Sequence, residues 1–88
     1  SAMVIHRGES SGSANNVIVE GNRFYDSIYG LFINLNATNI TVRNNEIFNN
    51  LEVGLWIIGV SNVTVEGNNF TNNPENLKVK NCINCIIR

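Results

Sequence analysis

The chain is short of charge. Lysine, arginine, aspartate and glutamate together make up 15% of its 88 residues, and the formal net charge at pH 7 is −1. No basic stripe results, so nucleic acid is not an expected partner. No apolar run approaches the roughly 18 residues that a membrane span requires. Asp26 is the one aspartate and His6 the one histidine. The clustered carboxylates that hold a metal or cleave a glycosidic bond therefore have few candidates. Cys82 and Cys85 form a lone Cys-x-x-Cys with no second pair, so a four-ligand zinc site cannot be completed within the chain. No metal and no cofactor are expected. No segment shows helical spacing. The length allows one domain, and an ordinary globular core of this size is marginal.

Against these absences stands a phrase written four times. Asn16-Val17-Ile18-Val19-Glu20 recurs as Asn39-Ile40-Thr41-Val42-Arg43, Asn62-Val63-Thr64-Val65-Glu66 and Asn84-Cys85-Ile86-Ile87-Arg88. The steps are about 23, 23 and 22 residues, a period that marks a solenoid. About one residue in five is asparagine. Asn-rich sequence can mean prion-like disorder, but here the asparagines are periodic and alternate with β-branched residues, which favours order.

Each repeat reads as three short strands. In Asn39–Arg43, Ile40 and Val42 point one way and Thr41 and Arg43 the other, the period of two that a strand requires. A tight corner follows, Glu20-Gly21-Asn22 in one copy, then Arg43-Asn44-Asn45 and Glu66-Gly67-Asn68. Gly and Asn tolerate the positive φ such a corner needs. The second segment carries Phe24, Ile47 and Phe70 in register. After polar stretches (Asp26-Ser27, Asn49-Asn50, Asn72-Asn73) comes the third: Gly30-Leu31-Phe32-Ile33, Gly54-Leu55-Trp56-Ile57 and Asn76-Leu77-Lys78-Val79.

Stacked, the copies give inward columns Val17-Ile40-Val63-Cys85, Val19-Val42-Val65-Ile87, Leu31-Leu55-Leu77, Ile33-Ile57-Val79 and Phe24-Ile47-Phe70. Each such side chain contributes roughly 1.5–3 kcal/mol when a neighbouring coil covers it. A leucine-rich repeat wants its Asn three residues after the last strand Leu, whereas here Asn62 follows Ile57 by about five. Left-handed β-helices run on hexapeptides, which the chain lacks. The expected fold is all-β: a right-handed parallel β-helix solenoid of about three and a half coils, about 22–23 residues each, with three short strands per coil.

The run Asn-Val-Thr-Val-Glu-Gly-Asn-Asn-Phe-Thr-Asn-Asn at 62–73, together with Gly-Leu-Trp-Ile at 54–57, resembles the parallel β-helix repeats of the pectate-lyase-like superfamily. More narrowly, it resembles the β-helix regions of carbohydrate-binding, NosD-type and archaeal surface proteins. The resemblance covers nearly the whole chain and is specific for fold, not for activity. It implies an asparagine ladder at Asn22, Asn45 and Asn68. Side-chain amides stacked at the strand spacing of about 4.8 Å can bond one another and the turn backbone, which agrees. A second column, Asn16, Asn39, Asn62 and Asn84, is expected to do similar work at another corner. The copper association of NosD-type proteins finds no ligand set here. An extracellular, periplasmic or cell-surface location is implied by the resemblance alone.

In such β-helices the working face is that of the Gly-Leu-Trp-Ile strands. Its outward columns here are Val4-Phe32-Trp56-Lys78 and His6-Asn34-Ile58-Lys80. Phe32, Trp56, Asn34, Lys78 and Lys80 are the candidate carbohydrate-binding residues; the plainer reading is that Phe32 and Trp56 stack on each other or lie in an oligomer contact. No catalytic residues are assigned. Glu20 and Glu66 share a column but alternate with Arg43 and Arg88, which reads as a surface charge ladder. A small buried thiol suits Cys85, and Cys82 is placed at a turn, with a disulfide as the lesser alternative. The Asn-x-Thr sequons at Asn36, Asn39, Asn62 and Asn69 follow from the repeat itself.

The chain reads as a single module, 1–88. Ser1-Ala2-Met3 reads as an expression scar, residues 7–15 as a protruding loop, and the C-terminal end as an uncapped coil. Open strand edges template association, so a homo-oligomer or flanking β-helix coils are the expected partners, with a polysaccharide as the candidate ligand. The expected role is a non-catalytic module of a larger extracellular or surface protein, a scaffold that contacts polysaccharide along the Phe32/Trp56 face. A fragment of a polysaccharide lyase or glycoside hydrolase, and a self-associating structural module, are the alternatives.

Overall fold

Residues that alternate branched apolar with polar side chains form strands because the pleat sends them to opposite faces. The structure, a computed structural model, describes residues 3–6, 15–34 and 37–88, with the side chains of Val4, His6 and Asn15 excepted. The strands are β1 (Met3–His6), β2 (Asn15–Glu20), β3 (Arg23–Tyr25), β4 (Tyr29–Asn34), β5 (Thr38–Arg43), β6 (Glu46–Phe48), β7 (Val53–Glu66), β8 (Asn69–Thr71), β9 (Glu75–Ile83) and β10 (Ile86–Ile87). Every pairing among them is parallel. The result is a parallel β-solenoid of about three turns. Strands β3, β6 and β8 form one sheet, and all the others join through β7.

The expected columns hold in register: Leu31 pairs Leu55 and Leu55 pairs Leu77, while Ile40 pairs Val63 and Ile47 pairs Phe70. Leu31, Ile33, Val42, Ile47, Leu55, Ile57 and Val63 are fully buried. Burial fades along the last coil, where Val79, Ile86 and Ile87 are exposed. Three separate strands per coil is the pattern only of the earlier coils. In the third, the Gly-Leu-Trp-Ile segment and the Asn-Val phrase run together as the 14-residue β7, which turns its corner at Gly59 (φ 65°) and Asn62 (φ 55°) without leaving the ladder. Strand β9 likewise continues through Asn81 (φ 53°). Residues 7–14 of the expected loop lie outside the described residues, as does Asn36; Asn15 opens β2, and Met3 is part of β1.

Asparagine does two different jobs at the corners. Gly21, Asn44 and Gly67 occupy the left-handed region, and the asparagine after each is the ladder residue. The backbone N–H of Asn22 donates to Asn45 Oδ1 at 2.9 Å, and that of Asn45 donates to Asn68 Oδ1 at 3.0 Å. Asn45 Nδ2 bonds both Asn68 Oδ1 and the Val19 carbonyl, and Asn68 Nδ2 bonds the Val42 carbonyl. Asn45 is 1% exposed. The expected ladder is thus present.

A second ladder stands where the sequence shows only a polar stretch. The Ser27 N–H donates to Asn50 Oδ1, and Asn50 donates to Asn73 Oδ1 through both its backbone N–H and its Nδ2. Asn50 and Asn73 also bond the carbonyls of Phe24 and Ile47. The residues just before them, Asp26, Asn49 and Asn72, have φ near 55°. Asn16, Asn39, Asn62 and Asn84 do not repeat this pattern. They supply the left-handed backbone of the third corner, φ 55–59°, with exposed side chains; Asn62 Nδ2 reaches Thr38 Oγ1 at 3.4 Å. Asn tolerates that conformation better than most residues.

The second ladder, of Asn50 and Asn73, explains the glycines of the third segment. A Cβ at Gly30 would lie 2.8 Å from both Asn50 Nδ2 and the Gly54 carbonyl oxygen. One at Gly54 would lie 2.8 Å from the Asn76 carbonyl oxygen and 3.0 Å from Asn73 Nδ2.

Two further expectations resolve here. The surface charge ladder is built as pairs: Arg43 Nε to Glu20 Oε1 at 2.8 Å and Arg88 Nε to Glu66 Oε1 at 3.2 Å, exposed and worth little individually. The cysteines depart from the thiol reading, for Cys82 and Cys85 are joined in a disulfide. Cys82 is not at a turn but pairs with buried Val60, so it faces the core as Cys85 does, and two inward-facing sulfurs meet across the Asn84 corner.

Asn45→Ala removes a buried donor and acceptor and should lower unfolding free energy by roughly 1–3 kcal/mol in urea titrations, whereas Asn44→Gly next to it should change stability by under about 0.5 kcal/mol. Gly54→Ala should cost about 1–3 kcal/mol by overpacking; an unaffected midpoint would show that the ladder can shift to admit a methyl.

Candidate functional site

Parallel register puts like positions directly over one another, so outward side chains on the β4–β7–β9 face form piles. Phe32 pairs with Trp56 and Trp56 with Lys78. The two rings stack at a centroid distance of 4.9 Å and an interplanar angle of 19°. Lys78 Nζ lies 5.0 Å from the Trp56 centroid, a cation–π contact on the same ring. Tyr29, at the start of β4, meets Trp56 edge-on at 4.8 Å and 68°, and Phe32 at 5.8 Å.

The stack uses up ring faces that a sugar would need. Phe32 and Trp56 are half-buried in the pile, and open space lies beside it. A groove of about 360 Å³ is walled by Tyr29, Trp56 and Pro74, with Glu52, Glu75 and Lys78 around it. A neighbouring, more apolar groove of about 460 Å³ shares Tyr29 and Leu51 and adds Ile28, Phe32 and Asp26.

One extra residue makes this relief. Ser27 to Gly30 and Asn73 to Asn76 are three-residue steps, but Asn50 to Gly54 is four. The Ile28 carbonyl accepts from the N–H groups of both Glu52 and Val53, as happens where two residues of a bulged strand oppose one. The surplus pushes Leu51 outward, to 70% exposure, and sets Glu52 at the groove.

Of the sequence candidates, Phe32, Trp56 and Lys78 come together. Asn34 and Lys80 stand in the next outward column and line neither groove; Lys80 is exposed, and Asn34 is half-buried. Asn34 Oδ1 and Trp56 Nε1 are buried with no hydrogen-bond partner among the described residues. Sequence reasoning missed Tyr29, Glu52 and Glu75. The signal for the first was its place one residue before Gly30, where the later copies have Val53 and Glu75; the signal for the second was the four-residue step.

Other surfaces offer less chemistry. A groove of about 530 Å³ over the Thr41–Thr64 column is larger, but its lining asparagines, threonines and aliphatic residues include no charge and no ring. On the β3–β6–β8 face Tyr25 and Phe48 stack at 5.0 Å beneath Arg23. Among the described residues, no three His, Cys, Asp or Glu side chains gather to hold a metal.

A family described as a right-handed beta helix region matches residues 5–87. The chain belongs to that family. Membership gives the solenoid its right hand and agrees with the strand pairing throughout. No curated protein and no solved structure matches the chain significantly. The right-handed β-helix family supplies a frame, so the function of this member has to be argued from the groove.

Trp56 is the single tryptophan, so its emission reports this site alone. Lys78→Ala should uncover one ring face, red-shift the emission and raise quenching by acrylamide. Unchanged quenching would mean that the ammonium does not cover the ring in solution.

Proposed function

We propose that this β-helix is a non-catalytic module of a larger extracellular or surface protein, a scaffold that contacts polysaccharide in the groove beside Phe32 and Trp56. The observation that carries the reading is the convergence of Tyr29, Trp56, Glu52, Glu75 and Lys78 on one open groove. Aromatic and apolar walls suit the C–H faces of a pyranose, while carboxylates accept from its hydroxyls and an ammonium donates to them. The groove is a shallow feature of a long face, which fits a chain ligand better than an enclosed small molecule.

A second reading rests on a separate observation. Strands β9 and β10 expose Val79, Ile83, Ile86 and Ile87, an apolar patch through which copies would associate.

A glycan array probed with the wild-type chain and with Trp56→Ala tests the first reading. Binding by the wild type that falls at least about tenfold in the variant is the expected result. A wild-type chain that binds no glycan sinks it. Light scattering over a dilution series tests the second: mass that falls with dilution supports end association, and a constant monomer mass removes it.

A further inference from the structure

The charges around the groove are unequal, and this bears on which glycans it takes. Glu52 and Glu75 sit on adjacent turns, with the Glu75 N–H donating to the Glu52 carbonyl at 3.1 Å, so the two side chains enter the groove from neighbouring rungs. Among the described residues one cation lines the same groove, Lys78, whose ammonium lies on the Trp56 ring. Asp26 adds a third carboxylate in the adjoining groove. Among the described residues, no arginine or histidine lines either space. Resting on the glycan-contact reading above, we infer that the groove selects neutral glycans, chains of uncharged pyranose units, over uronate-bearing or sulfated ones.

The physical argument has two parts. A carboxylate is acceptor-only and holds two oxygens, so it can take hydrogen bonds from a sugar's hydroxyls without needing a proton of its own. The same group repels an anionic sugar, and in an exposed groove that repulsion is set by the net charge within about a Debye length. Lys78 offsets one carboxylate of the two. The remainder, with Asp26 nearby, leaves the site negative. Electrostatic mismatch of this kind decides between partners more than it sets overall affinity. Nothing in the frame demands these acids: Val53, which pairs with Glu75 one turn earlier, shows that the position accepts an apolar residue.

The test follows Trp56 fluorescence while the full chain is titrated, at low salt, with neutral hexasaccharides of glucose, mannose and xylose and with hexagalacturonate. At least one neutral hexasaccharide should bind roughly tenfold more tightly than hexagalacturonate. Added salt should narrow the gap. The double variant Glu52→Gln, Glu75→Gln keeps side-chain volume at two exposed positions, so folding is checked only by circular dichroism. It should tighten hexagalacturonate several-fold and leave neutral binding equal or weaker. Hexagalacturonate binding as tightly as the best neutral chain would overturn the charge inference and leave the glycan contact standing. An unaltered preference in the double variant would also overturn it. Failure of every sugar to bind would remove the glycan-contact reading, and the inference with it.

Discussion

A buried side-chain amide that must be satisfied by two different turns governs the architecture. Asn45 accepts from Asn22 and donates to Val19 in the coil before, and donates to Asn68 in the coil after, and each of those bonds joins residues 23 or 26 apart in sequence. An unsatisfied amide in that position would cost about 1–3 kcal/mol, so a coil cannot hold its corner without its neighbours. Much else follows from this requirement. The residue before each ladder position takes positive φ, hence Gly21, Asn44 and Gly67 on one corner and Asp26 (before Ser27), Asn49 and Asn72 on another. The residue packed over the second ladder must lack a side chain, hence Gly30 and Gly54. The apolar columns can then hold constant volume because ladder and corner fix the spacing at which they meet.

The same parallel register shapes the outer surface. Placing like positions over one another makes exposed aromatics stack face to face along the axis, as Phe32 does on Trp56 and Tyr25 on Phe48. Such piles stiffen a face but hide the ring surfaces most useful for recognition. Open relief on a solenoid of this kind therefore lies beside a stack, at a place where the repeat is interrupted. In this chain the interruption is the extra residue at Leu51–Glu52, which opens the grooves on either side of Tyr29.

Legibility in the sequence tracked how directly each feature obeys the repeat. The inward columns could be read because the Asn-Val phrase recurs at constant spacing, and the Asn22-Asn45-Asn68 ladder because the resemblance to β-helix repeats implied it at a corner that recurs. The Asn50-Asn73 ladder could not be read from recurrence alone: its first member is Ser27, which donates through its backbone N–H and offers no side-chain amide. A count of unpaired backbone groups at that corner was the missing step. The fusion of two strand segments into β7 was hidden because Gly59 and Asn62 look like corner breakers, yet a positive φ can turn a strand without ending its pairing. Cys82 was misplaced because its inward column, Ala37-Val60-Cys82, begins outside the repeated phrase. The groove acids were missed for the opposite reason, since Glu52 has no counterpart in the other copies.

A one-residue surplus is a cheap place to alter contact in such a frame. The ladder bonds of Asn50 and the burial of Val53, Gly54 and Leu55 are intact on either side of it, so the bulge is absorbed without loss to the core. Leu51 and Glu52 are exposed and carry no hydrogen-bonded side chain of the frame, and Tyr29 and Glu75 approach from the turns before and after. Substitution there changes the shape and charge of the surface while the stacking energy stays where it was. Substitution at Asn45, Asn50 or Gly54 does the reverse. The division between positions that hold the coil together and positions free to vary is therefore sharp, and it falls at the residues where the repeat departs from its own period.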